Sequence, residues 1–123
     1  MPAKVGYLVI DTVDPERLAP FWCDLLAVRV DTAIGDGEFL ILSPTRDGLT
    51  VGFQRVPEVK TGKNRLHLDL AVDDLDTATA EVEGLGGRWL EAGNTRELEG
   101  FRWRCMADPE GNEFDIDVLP AGS

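Results

Sequence analysis

Hydrophobic and polar positions alternate strictly along residues 65–72, with Leu66, Leu68, Leu70 and Val72 on one side and Arg65, His67, Asp69 and Ala71 on the other. That period of two predicts a strand with one face on a core. The spacing then turns helical through Leu75, Ala78, Val82 and Leu85, with Asp73 or Asp74 placed to cap a helix over 74–85 that stops at Gly86-Gly87. An earlier copy of this change of period lies in residues 4–11, β-prone, followed by Asp14-Pro15-Glu16. This is a helix start with Asp14 as N-cap and Pro15 at the first position. Leu18, Phe21, Trp22, Leu25 and Leu26 then form one apolar stripe.

Short strands are predicted over 28–31, 38–42 and 49–56 in the first half, and over 88–91, 101–106 and 113–118 in the second. Gly35-Asp36-Gly37, residues 43–48, 92–100 and 108–112 supply turns and loops. Residues 57–64 read as a linker and 120–123 as a frayed tail. An offset of sixty sets Tyr7 against His67, Leu8 against Leu68 and Asp14 against Asp74. The order strand, helix, three strands therefore occurs twice. The expectation is an α+β protein of two tandem βαβββ modules, 4–56 and 65–119, in one domain with a curved mixed sheet.

Charge narrows the partners. The 123 residues carry 12 basic and 23 acidic side chains, a formal net charge of -11, with fourteen of the acids beyond residue 60. Nucleic acid and anionic membranes need basic patches and are excluded as partners. With no apolar run of about 20 residues and no signal-peptide core after Met1-Pro2-Ala3-Lys4, the expected location is cytoplasmic. Cys23 and Cys105 are too few for a disulfide framework and read as buried thiols.

Three segments carry a family likeness: residues 9–22 around Asp14-Pro15-Glu16-Arg17-Leu18-Ala19-Pro20-Phe21-Trp22, the run Asn64-Arg65-Leu66-His67-Leu68-Asp69-Leu70, and Asp108-Pro109-Glu110-Gly111-Asn112-Glu113-Phe114. In this order and with the repeat, the chain resembles the vicinal oxygen chelate superfamily of glyoxalases, extradiol dioxygenases, fosfomycin and bleomycin resistance proteins and methylmalonyl-CoA epimerases. It is most similar to the glyoxalase-like branch common in high-GC bacteria. The resemblance implies a sheet curled into a cup, a divalent metal (Ni, Zn, Mn or Co) or none, and a homodimer. Carried over by position, the metal ligands fall on His67, Asp115 and Gln54, with Tyr7 at the fourth place. Tyr7 is a poor ligand as a neutral phenol and reads instead as cavity wall.

In residues 113–118 the polar Glu113, Asp115 and Asp117 alternate with Phe114, Ile116 and Val118, so Asp115 shares the polar side as His67 does. His67 and Asp115 are the candidate catalytic pair, and Asp69 and Asp117 read as rim or surface carboxylates. Tyr7, Phe53, Trp103, Arg102 and Arg104 are candidate substrate-binding residues. The two arginines alternate against Phe101, Trp103 and Cys105, and alternation leaves open which face turns inward. A single histidine excludes, within one chain, the two-histidine iron site of an extradiol dioxygenase. Two readings remain: a metal-dependent lyase or isomerase acting beside a carbonyl, or a metal-free small-molecule binding protein of the bleomycin-resistance type.

Overall fold

The computed structural model describes residues 2–120. Of the expected tail, residues 121–123 lie outside the described residues. The chain divides into two units, 1–60 and 61–123. In the first, β1 (Leu8–Thr12) leads into α1 (Pro15–Leu26), then β2 (Val30–Ile34), β3 (Phe39–Leu42) and β4 (Val51–Arg55). In the second, β5 (Leu68–Ala71) leads into α2 (Leu75–Gly84), then β6 (Arg88–Trp89), β7 (Arg96–Leu98), β8 (Phe101–Ala107) and β9 (Glu113–Val118). Two mixed sheets result, ordered β1-β4-β3-β2 and β5-β9-β8-β6, with β7 added on β8.

Both helices start where the sequence places them. The Asp14 carboxylate accepts from the Arg17 amide at 3.3 Å, and the Asp74 carboxylate from the Thr77 amide at 2.8 Å. Each cap satisfies an amide that the first helical turn leaves without a partner. α1 ends at Ala27, held at φ 56° while the Val28 amide reaches back to the Cys23 carbonyl. That closure occupies Val28, so β2 begins at Val30, two residues later than its alternation suggests. β1 likewise begins at Leu8 rather than residue 4, because its partner β4 starts opposite Leu8, at Val51.

The core of the first unit is Leu18, Phe21 and Trp22 from α1 over Leu40, Leu42, Val51 and Phe53. In the second unit Leu75, Ala78 and Val82 cover Met106, Phe114 and Ile116. Burying one such side chain contributes about 1.5–3 kcal/mol. One strand is unexpected: β7 lies inside the 92–100 loop. Glu97 and Glu99 give it no apolar alternation. It forms because β8 offers an edge, pairing Arg96 with Trp103 and Leu98 with Phe101.

Candidate functional site

His67 precedes β5 and points to the same side as Asp69, two residues on. Asp69 lies directly opposite Asp115 in the parallel β5–β9 ladder, and Asp115 directly opposite Cys105 in the antiparallel β8–β9 ladder. The register thus lays Asp69, Asp115 and Cys105 in a row on one face, with His67 at its end. His67 Nε2 is 3.2 Å from Asp69 Oδ1 and 3.4 Å from Asp115 Oδ2. Among the described residues, His67, Asp69 and Asp115 form the one cluster of potential metal ligands, their donor atoms all within 4.8 Å of one another.

The segment carrying His67 is tied to the start of β9. Asn64 Oδ1 accepts from the Glu113 amide at 3.2 Å, Asn64 Nδ2 donates to the Leu66 carbonyl at 3.1 Å, and Lys63 pairs with Glu113. These bonds place an imidazole that no ladder holds directly.

Burial pushes the Asp115 carboxyl above its ordinary value, the Asp69 charge pushes the same way, and His67 opposes them. Asp117, on the same face, is raised by burial and then by Asp69 and Asp115. The Cys105 thiol, within hydrogen-bond reach of Asp115 and Glu91, is pushed up to about 11, first by burial and then by the Asp115 charge. It is therefore a neutral donor rather than a nucleophile at neutral pH. Crowded carboxylates of this kind favour a proton or a cation among them.

The donor set suits a divalent cation. One imidazole nitrogen and two carboxylate oxygens are ligands for zinc, nickel, manganese or cobalt. The 3.2 and 3.4 Å separations match the spacing of about 3.0–3.5 Å between neighbouring ligands on bonds of about 2.1 Å. Asp69, expected at the rim or surface, completes this cluster. Its position two residues after His67 on an alternating strand is the signal that could have singled it out.

The remaining candidates are distributed as follows. Trp103 is on the carboxylate face, opposite Asp117. Arg104 is on the other face, under α2. Its guanidinium donates to Thr79 Oγ1 at 2.7 Å, Asp76 Oδ1 at 2.7 Å, Thr95 Oγ1 at 3.0 Å and the Leu75 carbonyl at 3.3 Å. It also sits 4.1 Å from the Trp89 ring centroid. Arg102 alternates with Arg104 and is exposed opposite Val118. The face the two arginines share is thus the helix side, and as substrate-binding candidates they give way to a structural role for Arg104. Phe53 is corrected too: it is fully buried, flanked by Ile10 and Leu40 on the α1 side of its sheet. It packs the core because its alternation faces the helix.

In the first unit Tyr7 precedes β1 and is exposed, and Gln54 is exposed in β4 opposite Asp11 and Phe39. The register revises the correspondence between the halves. Leu8 pairs with Val51 as Leu68 pairs with Phe114, so Asp115 corresponds to Gly52 and Gln54 to Asp117. Where the second unit has His67, Asp69 and Asp115, the first has Tyr7, Val9 and Gly52. A Cβ at Gly52 would lie 3.2 Å from the Leu40 carbonyl oxygen and 3.5 Å from the Phe39 ring, so a side chain there would crowd the neighbouring strand.

Residues 7–116 match the family model of a glyoxalase-like domain. Among curated proteins none matches the sequence. Solved structures do. A glyoxalase/bleomycin resistance protein/dioxygenase family enzyme from Burkholderia phytofirmans PsJN superposes with a TM-score of 0.77 at 19% identity, covering 95% of this chain and 99% of that one. A glyoxalase/bleomycin resistance protein/dioxygenase from Nocardioides gives 0.76 at 13% identity, covering 100% and 87%. The fosfomycin resistance protein FosX from Mesorhizobium loti gives 0.71 at 17%, covering 98% and 96%. At such identities the structures share the fold. Together with the family model over most of the chain, they show that this protein belongs to the glyoxalase-like domain family of the vicinal oxygen chelate superfamily.

Proposed function

We propose that the carboxylate face of the second unit binds a divalent cation through His67, Asp69 and Asp115, and beside it a small carbonyl-bearing molecule. The observation that carries this reading is the convergence of His67 Nε2 on two carboxylates that face each other across one ladder. When bound, such a cation supplies Lewis acidity toward a carbonyl oxygen. Trp103 offers an aromatic wall for the ligand's carbon body. With Asp115 engaged as a ligand, Asp117 is the further carboxylate on this face, and its raised proton affinity suits it to take and return a proton beside the carbonyl. The reaction class is isomerisation, epimerisation or lyase chemistry, in a cytoplasmic homodimer. Tyr7 and Gln54 remain candidate lining and ligand residues on the resemblance alone.

The competing reading is a metal-free binding protein, favoured by one feature: a hydrogen bond from His67 Nε2 to the carboxylates beside it would take the place of a cation. Elemental analysis of chelator-free protein, then titration with nickel, zinc, manganese and cobalt, decides between them. Stoichiometric metal that is lost in His67→Ala supports the first reading; no uptake by the wild type supports the second. No helix among the described residues is long and apolar enough to cross a membrane.

A further inference from the structure

Arg96, in the strand that falls within the expected 92–100 loop, lies on the carboxylate face. Directly opposed residues share a face of a sheet, and Arg96 opposes Trp103, which opposes Asp117. Cys105, two residues from Trp103, opposes Asp115. Arg96 therefore lies on the same side as the His67–Asp69–Asp115 cluster, and the Asp115 charge is felt at its guanidinium.

Unlike Arg104, Arg96 is held but not used up. Arg96 Nε and Nη2 donate to the two Glu91 carboxylate oxygens at 2.8 and 2.7 Å. A guanidinium has five N–H donors, so this fork leaves about three for another acceptor. The side chain is 47% exposed. Glu91 thus orients the group while leaving its other edge open, the preorganised presentation that a bidentate carboxylate requires. Between Arg96 and the cluster lies Trp103, half-buried, and the Phe101 ring flanks it on the side away from Cys105 with centroids 5.7 Å apart.

We infer that Arg96 is the specificity-determining residue of this site, selecting small oxygen-bearing ligands that carry a second, distal carboxylate. The inference rests on the proposed metal-binding reading. Two inter-strand steps and two residues of offset put Asp115 and Arg96 about 12 Å apart at Cα. Both side chains rise from the same face, so a short ligand can reach from the cluster to the Arg96 guanidinium, its 2-oxo acid end at the cluster and its body against Trp103.

The test compares 2-oxoglutarate with 2-oxopentanoate, which replaces the distal carboxylate by a methyl group. Both are titrated calorimetrically into manganese-loaded protein. The wild type binds the dicarboxylate about tenfold more tightly. Arg96→Gln reduces the preference to within about twofold by weakening only the dicarboxylate, and Arg96→Lys recovers part of it, because a point charge replaces the fork. Arg102→Gln, exposed on the opposite face of β8, retains the full preference. Circular dichroism verifies that each variant is folded. A wild type that binds neither probe or does not discriminate, or an Arg96→Gln protein that still discriminates, overturns the inference. A parallel manganese titration separates the two failures: no metal uptake sinks the reading of the site, whereas uptake without Arg96-dependent discrimination sinks only the role of Arg96.

Discussion

Asp69 and Asp115 face each other directly across the β5–β9 ladder, and the only histidine in the chain touches both. Like charges opposed in a sheet oppose folding. On the proposed reading, the pair is a place where local stability is set against cation binding. Asp69→Asn is expected to raise the melting temperature of metal-free protein slightly while weakening metal binding at least tenfold. Differential scanning calorimetry with chelator, and a metal titration without it, check the two halves.

The pH dependence of the metal-free protein follows from the same crowding. Asp115 and Asp117 have folded proton affinities raised above those of the unfolded chain. Their contribution to stability is fully present below the ordinary aspartate value of about 3.8 and is lost as pH rises through the raised values. Between those limits the native state holds more protons than the unfolded state, so stability falls with rising pH. Asp117→Asn should flatten that part of the profile, read as urea midpoints from pH 4 to 8 against the wild type.

Arg104 is buried with four hydrogen-bond partners and an aromatic ring. Arg104→Met is expected to cost about 3 kcal/mol, since Thr79 and Thr95 lose the guanidinium as donor while the Leu75 carbonyl keeps the Thr79 hydroxyl. Arg104→Lys should restore little of it, because an ammonium cannot span those partners. The proposed metal site, on the other face, should keep its affinity in whatever fraction stays folded.

Asn64 positions His67 without touching the cluster. Asn64→Ala removes the bonds to Glu113 and Leu66 and should lower metal affinity by about tenfold through a looser imidazole. Binding calorimetry of this variant beside His67→Ala distinguishes positioning from ligation.

Ala27 ends α1 at φ 56°, where an L side chain is strained. Ala27→Gly should stabilise the protein by about 1 kcal/mol in urea denaturation.

Both helices, their aspartate caps, the duplicated order and the family were legible because they rest on local rules: period, capping chemistry and breaker residues. That His67 and Asp115 face the polar side of their strands was legible for the same reason, since alternation alone assigns it. Four things were not. Asp117 read as a rim or surface carboxylate though it is buried, Gln54 as the counterpart of Asp115, Arg102 and Arg104 as possible ligand contacts, and β7 as loop.

All four depend on what lies across a ladder, and register is a long-range property that no single strand's sequence contains. The sequence determined which residues alternate and therefore which could act together. Only the pairing of β5 with β9 and of β8 with its neighbours decided which did: Asp69 beside Asp115, Arg96 on their side, and Arg104 beneath a helix. Hydrogen-bond register, rather than composition or period, aligns side chains that are distant along the chain.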